Sequence, residues 1–336
     1  MNMKAWLAAQ IKADQKKAMP ILSFPCVSLM GITVKELIES PALQAEGMKR
    51  IADRVPSLAS VSMMDLSVEA EAFGAAVRFS DNEVPTVTGI LVHDEEEAEA
   101  LPVPAVGAGR TGKCVEAIQS ACERIDDRPV FAGVIGPFSL AGRLMEVSEA
   151  LANCLVEPEM VHILMRKATA FLTQYISAYK AAGANGVVIA EPLTGLLSPD
   201  LAAEFSAPYV KEIAEAVRDD SFLVIYHNCG NHTIPMIESI LTTGCDGYHF
   251  GNAISMREML PLIPKDKAVF GNVDPAGQFL RGTPASIRDD TLRVLSECAA
   301  GYPNFIISSG CDIPPLSPWE NIDAFFEAVA SYYQTL

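Results

Sequence analysis

The sequence predicts a single (β/α)8 barrel spanning residues 1–336. Three observations lead there: eight short apolar, β-branched runs, helical-period stretches between them, and polar residues gathered where the runs end. The runs are 20–25 (PILSFP), 61–65 (VSMMD), 131–136 (FAGVIG), 186–191 (GVVIAE), 222–227 (FLVIYH), 246–251 (DGYHFG), 268–273 (AVFGNV) and 304–309 (NFIISS). They lack polar alternation, as strands buried on both faces do. Segments 34–55, 158–183, 198–218 and 283–301 place apolar residues three and four apart, and several open on Ser, Thr or Pro and close near Gly. At 336 residues and 50% hydrophobic, the chain can fill one large core, since barrels routinely exceed roughly 200 residues. An open doubly wound sheet is the alternative architecture. No G-x-G-x-x-G follows a strand, and GAGR (107–110) follows a proline-rich loop, which argues against a dinucleotide site. Residues 80–106, with their prolines and the acidic knot Glu95–Glu97, read as an excursion between the second strand and its helix.

Charge and cysteine usage narrow the function classes. The net charge is −17, without a basic cluster, so nucleic acid and anionic membrane surfaces are poor partners. The first twenty residues lack the apolar core and cleavage site of a secretory signal, and no apolar run approaches the roughly 20 residues of a membrane span. A cytoplasmic location is expected. There the eight irregularly spaced cysteines are free thiols or metal ligands.

In such a barrel, chemistry sits at the C-terminal ends of the strands. Those ends supply Asp65, Glu69 and Glu71, then Glu191, then His227 and Cys229, then His249 and Asn252, then Asn272 and Asp274, and finally Cys311 and Asp312. One histidine and two cysteines thus converge on one rim, where a soft metal such as zinc would sit. His227 and Cys229 lie two apart around a strand end, so their side chains can point the same way. Three protein ligands leave a coordination position open, as in catalytic sites. A buried cysteine beside a hydrogen-bonded histidine is the competing reading of H-x-C. Cys114, Cys122, Cys154 and Cys298 read as small core residues in helices and Cys245 as a residue at a strand entrance, while Cys26 ends the first strand. His93 and His162 read as loop and helix residues without partners, and His249 as a pocket residue.

The segments YHNCGN (226–231), FGNVDP (270–275) and SSGCDIP (308–314), with MMDLSVEAEAFGAAVRF (63–79) and IGPFSLAGRL (135–144), resemble the zinc-dependent, corrinoid-linked methyltransferases of the uroporphyrinogen decarboxylase superfamily, the branch similar to methylcobamide:coenzyme M methyltransferases. The resemblance covers essentially the whole chain. It implies the same barrel fold, His227, Cys229 and Cys311 as ligands of Zn²⁺, and a methylated corrinoid carried by a partner protein. Glu191, Asp274, Asn272, His249, Glu71 and Asp65 are the candidate catalytic or substrate-binding residues. Decarboxylation of uroporphyrinogen is disfavoured, because residues 17–37 hold no arginine for the eight carboxylates of a tetrapyrrole. FSD (79–81) has the decarboxylase look, but its surroundings follow the methyltransferase pattern.

Two methyl transfers fit that resemblance. A methylated corrinoid can give its methyl to a zinc-activated thiol such as coenzyme M, or a methoxyarene, methanol or methylamine can give its methyl to cobalt(I). Two thiolate ligands neutralise the charge of Zn²⁺ and leave a bound third thiolate nucleophilic, which favours the thiol acceptor. A zinc-stabilised module that only binds a corrinoid protein is the non-enzymatic alternative.

Overall fold

The computed structural model describes residues 1–334. Seven parallel strands form one sheet in the order β1 (Ser60–Val61), β4 (Val130–Ile135), β5 (Gly186–Ala190), β6 (Leu223–Asn228), β7 (Gly247–Phe250), β8 (Ala268–Val273) and β9 (Phe305–Ser309). Helices connect successive strands, as parallel pairing requires. The hairpin β2 (Ala76–Arg78) with β3 (Thr86–Thr88) and the short helix Glu95–Ala100 make up the excursion, which begins a few residues earlier than the sequence suggests.

The first expected strand, 20–25, is not a strand. Residues 18–21 instead run extended between the two sheet edges: the Met19 amide donates to Ile307 O (3.0 Å) and the Leu58 amide to Ala18 O (2.8 Å). Pro20 has no N–H to offer a ladder, and the Ile21 amide goes to the Ser309 hydroxyl (3.1 Å). By Cys26 the chain has already entered the helix Cys26–Met30. The ring is therefore closed by a strut with few ladder bonds in the place of an eighth strand. Two expected helices are also divided. Pro41 starts a new helix after Ser40, and Ser206 separates Pro199–Phe205 from Ala207–Val217.

Strand parity sorts the core into two clusters. Phe131, Val188, Leu223, Ile225, Phe270 and Ile306 pack together inside the ring with Met19 and Ile21, and Met3 and Leu7 of the first helix join them. Val224, Tyr226, Tyr248 and Phe250, of the other parity, pack outward with the helices. The period of two then carries His227, His249 and Ser308 to the inner face near the strand ends. Among the described residues no helix is long and apolar enough to cross a membrane.

Candidate metal centre

His227 and His249 occupy paired positions in the adjacent strands β6 and β7. Just past β6, the Asn228 side chain accepts from the Gly230 amide (2.8 Å) and the Thr233 hydroxyl (3.0 Å) and so turns the chain around Cys229. Gly251 lets that turn approach, since a Cβ there would lie 2.5 Å from Cys229 Cα. Cys311 follows β9. One ligand atom each from His227, Cys229 and Cys311 falls within 4.8 Å of the others, a set that could hold a metal ion. His227 Nε2 lies 3.5 Å from Cys311 Sγ.

The hydrogen bonds behind His227 fix which nitrogen faces the cysteines. The Ser308 hydroxyl donates its one proton to Met19 O (2.8 Å), so it accepts from His249 Nε2–H (2.8 Å). Burial first, and then His227, hold His249 well below the ordinary histidine range, so it is neutral and its Nδ1 accepts. His227 Nδ1–H is the donor across 2.8 Å. That leaves the Nε2 lone pair of His227 directed at the cysteines, the tautomer and orientation a metal ligand needs. The thiols divide their protons unequally. Cys229 is pulled well below the usual thiol range by the Cys311 thiol, whereas Cys311 is pushed up by Cys229.

The other predicted site residues lie elsewhere or are engaged. Glu191 is buried with both oxygens on the start of the helix Pro137–Met145, accepting from the amides of Phe138 and Ser139 (both 2.9 Å) and from the Ser139 hydroxyl (2.7 Å). Gly136 makes room for it, since a Cβ would lie 2.2 Å from Glu191 Cγ. Burial raises this carboxyl to about 7. Asp274 caps the turn Pro275–Leu280 through the Ala276 and Gly277 amides, and Asn272 donates to the carbonyls of Gly251 and Ile254. Asp65 and Glu71 are held by Arg110, which also donates to Ser67 (2.7 Å). His93 and His162 do have partners, Glu97 (2.9 Å) and Tyr209 (2.7 Å), each brought up by helix geometry.

Of the remaining residues near the strand ends, Ser308 had no role in the sequence reading, whereas Asp312 stood among the acidic rim residues and Cys26 at the end of the first run. Ser308 was visible as the inward parity of its strand. Asp312, beside Cys311, accepts from the Met64 amide (2.8 Å), while its other oxygen is buried without a partner among the described residues. Burial pushes its carboxyl to about 8. Cys26 is buried and is not one of the trio, and burial raises its thiol to about 12.

Comparison with known proteins places the chain in a family. The family model described as uroporphyrinogen decarboxylase (URO-D) matches residues 16–332. The methylcobamide:CoM methyltransferase MtbA of Methanosarcina acetivorans is 27% identical over 273 residues, covering 80% of this chain and 78% of that protein. A uroporphyrinogen decarboxylase of Coxiella burnetii is also 27% identical, over 88% of this chain and 82% of its own length. A solved methyltransferase from Methanosarcina mazei superposes with a TM-score of 0.86 at 24% identity over 99% of each chain, a match of fold.

Proposed function

This chain belongs to the uroporphyrinogen decarboxylase family, and from that premise we propose that it transfers a methyl group from a corrinoid carried by a partner protein to a small thiol, at a zinc ion held by His227, Cys229 and Cys311. The observation that carries this reading is the convergence of two thiols with an imidazole nitrogen whose lone pair is aimed at them. Similarity to a methylcobamide:CoM methyltransferase over most of both chains supports it. Zinc in this set would lower the pKa of an acceptor thiol and keep it as a nucleophilic thiolate.

The protein's own residues supply placement. His249 and Ser308 hold the His227 ring. Cys229 and Cys311 enter from two strand ends, just past β6 and β9. In the transfer, a sulfur–carbon bond forms as the cobalt–carbon bond breaks. The electron pair of the broken bond stays on cobalt, and the thiol proton leaves for solvent. The decarboxylase relatives point to different chemistry, but this chain has no arginine before Arg50, and Arg50 is exposed and paired with Glu46 (2.7 Å). A tetrapyrrole's carboxylates would find no cationic cradle in that segment.

Purified protein should carry about one zinc per chain, and Cys311→Ser or His227→Ala should strip most of it, with Cys154→Ser as the control that keeps it. Adding 2-mercaptoethanesulfonate should add a sulfur to the zinc shell in X-ray absorption and release protons near neutral pH. Free methylcobalamin should then lose its methyl group at a zinc-dependent rate. An unchanged sulfur count, together with methylation of reduced cobalamin by a methoxyarene or methylamine, would reverse the direction of transfer.

A further inference from the structure

Six of the eight cysteines are kept inert by burial. Cys26, Cys154, Cys245 and Cys298 are buried and Cys114 and Cys122 half-buried, and burial raises these thiols to about 11 or 12, the unreactive protonated form. Cys229 and Cys311 differ in having each other. Their thiols are hydrogen-bonded and their sulfurs lie within 4.8 Å, although they follow different strands, β6 and β9. Both are only half-buried, open to a small reagent. A disulfide sets its sulfurs about 2.05 Å apart, so closure moves each one by less than about 1.5 Å. Side-chain rotation must supply that travel, because the backbone on both sides is tightly packed. A Cβ on Gly251 would lie 2.5 Å from Cys229 Cα, and one on Gly310, next to Cys311, would lie 2.7 Å from the Asn252 nitrogen.

We propose that Cys229 and Cys311 form a reversible redox latch, closing as a disulfide when no metal holds them and a small disulfide is present as oxidant. The inference rests on the ligand trio of the methyl-transfer reading but not on the transfer itself. One cysteine sulfur attacks the small disulfide, which gives a mixed disulfide and releases one small thiol. The second cysteine sulfur then attacks the mixed disulfide, so the Cys229–Cys311 bond forms and the second small thiol leaves. The two cysteine protons end on the two released thiols, the protein pair is oxidised by two electrons, and the small disulfide is reduced by two. The latched chain keeps only His227 of the trio as a ligand, since a metal binds cysteine as the thiolate. Metal occupancy and the bond therefore exclude one another. The bond also spares the pair from irreversible oxidation to sulfinic acid, because a dithiol reopens it.

The test treats the full chain, zinc-loaded and after chelation, with glutathione disulfide or the smaller 2-hydroxyethyl disulfide, and counts thiols in denaturant. Metal-free protein should fall from eight thiols to six and lose two hydrogens in its intact mass. Peptide mapping should then join the segments that carry Cys229 and Cys311. Protein that carries zinc should react about tenfold more slowly or less, since exchange needs a free thiolate. Oxidised protein should take up no zinc until a dithiol restores all eight thiols. Cys229→Ser and Cys311→Ser should each stop at a mixed disulfide on the remaining cysteine, whereas Cys154→Ser should still close, with circular dichroism checking that each variant folds. Reduced protein that took up no zinc yet closed the bond would sink the zinc reading and leave the latch standing. Metal-free protein that keeps all eight thiols, stops at mixed disulfides or links other cysteines would overturn the proposal. So would equal rates in protein shown to carry zinc, or zinc uptake by the oxidised chain.

Discussion

At the ends of β6 and β9, one histidine and two cysteines face a shared space, the histidine backed by hydrogen bonds to His249 of β7 and on to Ser308. Across the mouth, beyond β1, Asp65, Ser67 and Glu71 turn inward onto Arg110. Both sides gather polar residues at strand ends, and both are largely buried. The difference is where their atoms point. Polar atoms matched to one another fix a loop, whereas atoms supported from behind and unmatched in front can take a ligand.

Removing the centre of the matched side should have the largest effect. Arg110→Met would leave Asp65 and Glu71 without their cation, and breaking such a buried pair costs about 3–5 kcal/mol. Urea unfolding should show that loss, while the fraction that stays folded keeps its zinc. If Arg110→Met also emptied the metal site, the two sides would not be separable.

His249→Phe tests the supported side. Filling the position without a ring nitrogen should weaken zinc affinity by about 10–100-fold, as loss of an outer hydrogen-bond partner does, with little change in the unfolding midpoint. Competition with a chelator measures it. An unaltered affinity would mean that His227 is held by packing alone.

The smallest effect is one of pH, at Glu69. Burial raises its carboxyl to about 8, and one oxygen has no partner among the described residues. Its folded pKa lies above the unfolded value near 4.5. The folded state therefore retains a proton that the unfolded chain gives up. This contribution is full below pH 4.5 and is lost as pH rises toward 8. Glu69→Gln should raise stability by about 1–2 kcal/mol at pH 8 and change it little at pH 5, on the scale of a buried polar group. Thermal melts at both pH values decide it, and an equal shift at both would deny the titration.

The sequence shows the parallel barrel because strands buried on both faces announce themselves as apolar runs, and seven of eight do so correctly. The run at 20–25 is apolar too, but a ladder depends on N–H groups, and Pro20 withholds one. The ligand trio is legible from H-x-C and the later cysteine because strand ends meet at one mouth. Glu191 stands equally well at a strand end, yet its partners, the Phe138 and Ser139 amides, lie more than fifty residues upstream. No local pattern shows that they have claimed it. Nor does sequence show that Arg110 has three partners, Asp65, Ser67 and Glu71.

The strut at 18–21 has a bearing on how the molecule is made. Its bonds to β9 join residues 288 and 289 positions apart, Ile21 with Ser309 and Met19 with Ser308. During synthesis the first half of that contact leaves the ribosome early and waits for nearly the whole chain before its partner emerges. Contacts of this separation form last, since the entropy of closing so long a loop must be overcome first. The carbonyl of Met19 orients the Ser308 hydroxyl, and through it both imidazoles, so ring closure and preparation of the ligand nitrogen are one late event. A nascent chain stalled before residue 308 holds His227 and Cys229 but lacks the hydrogen-bond relay that aims His227.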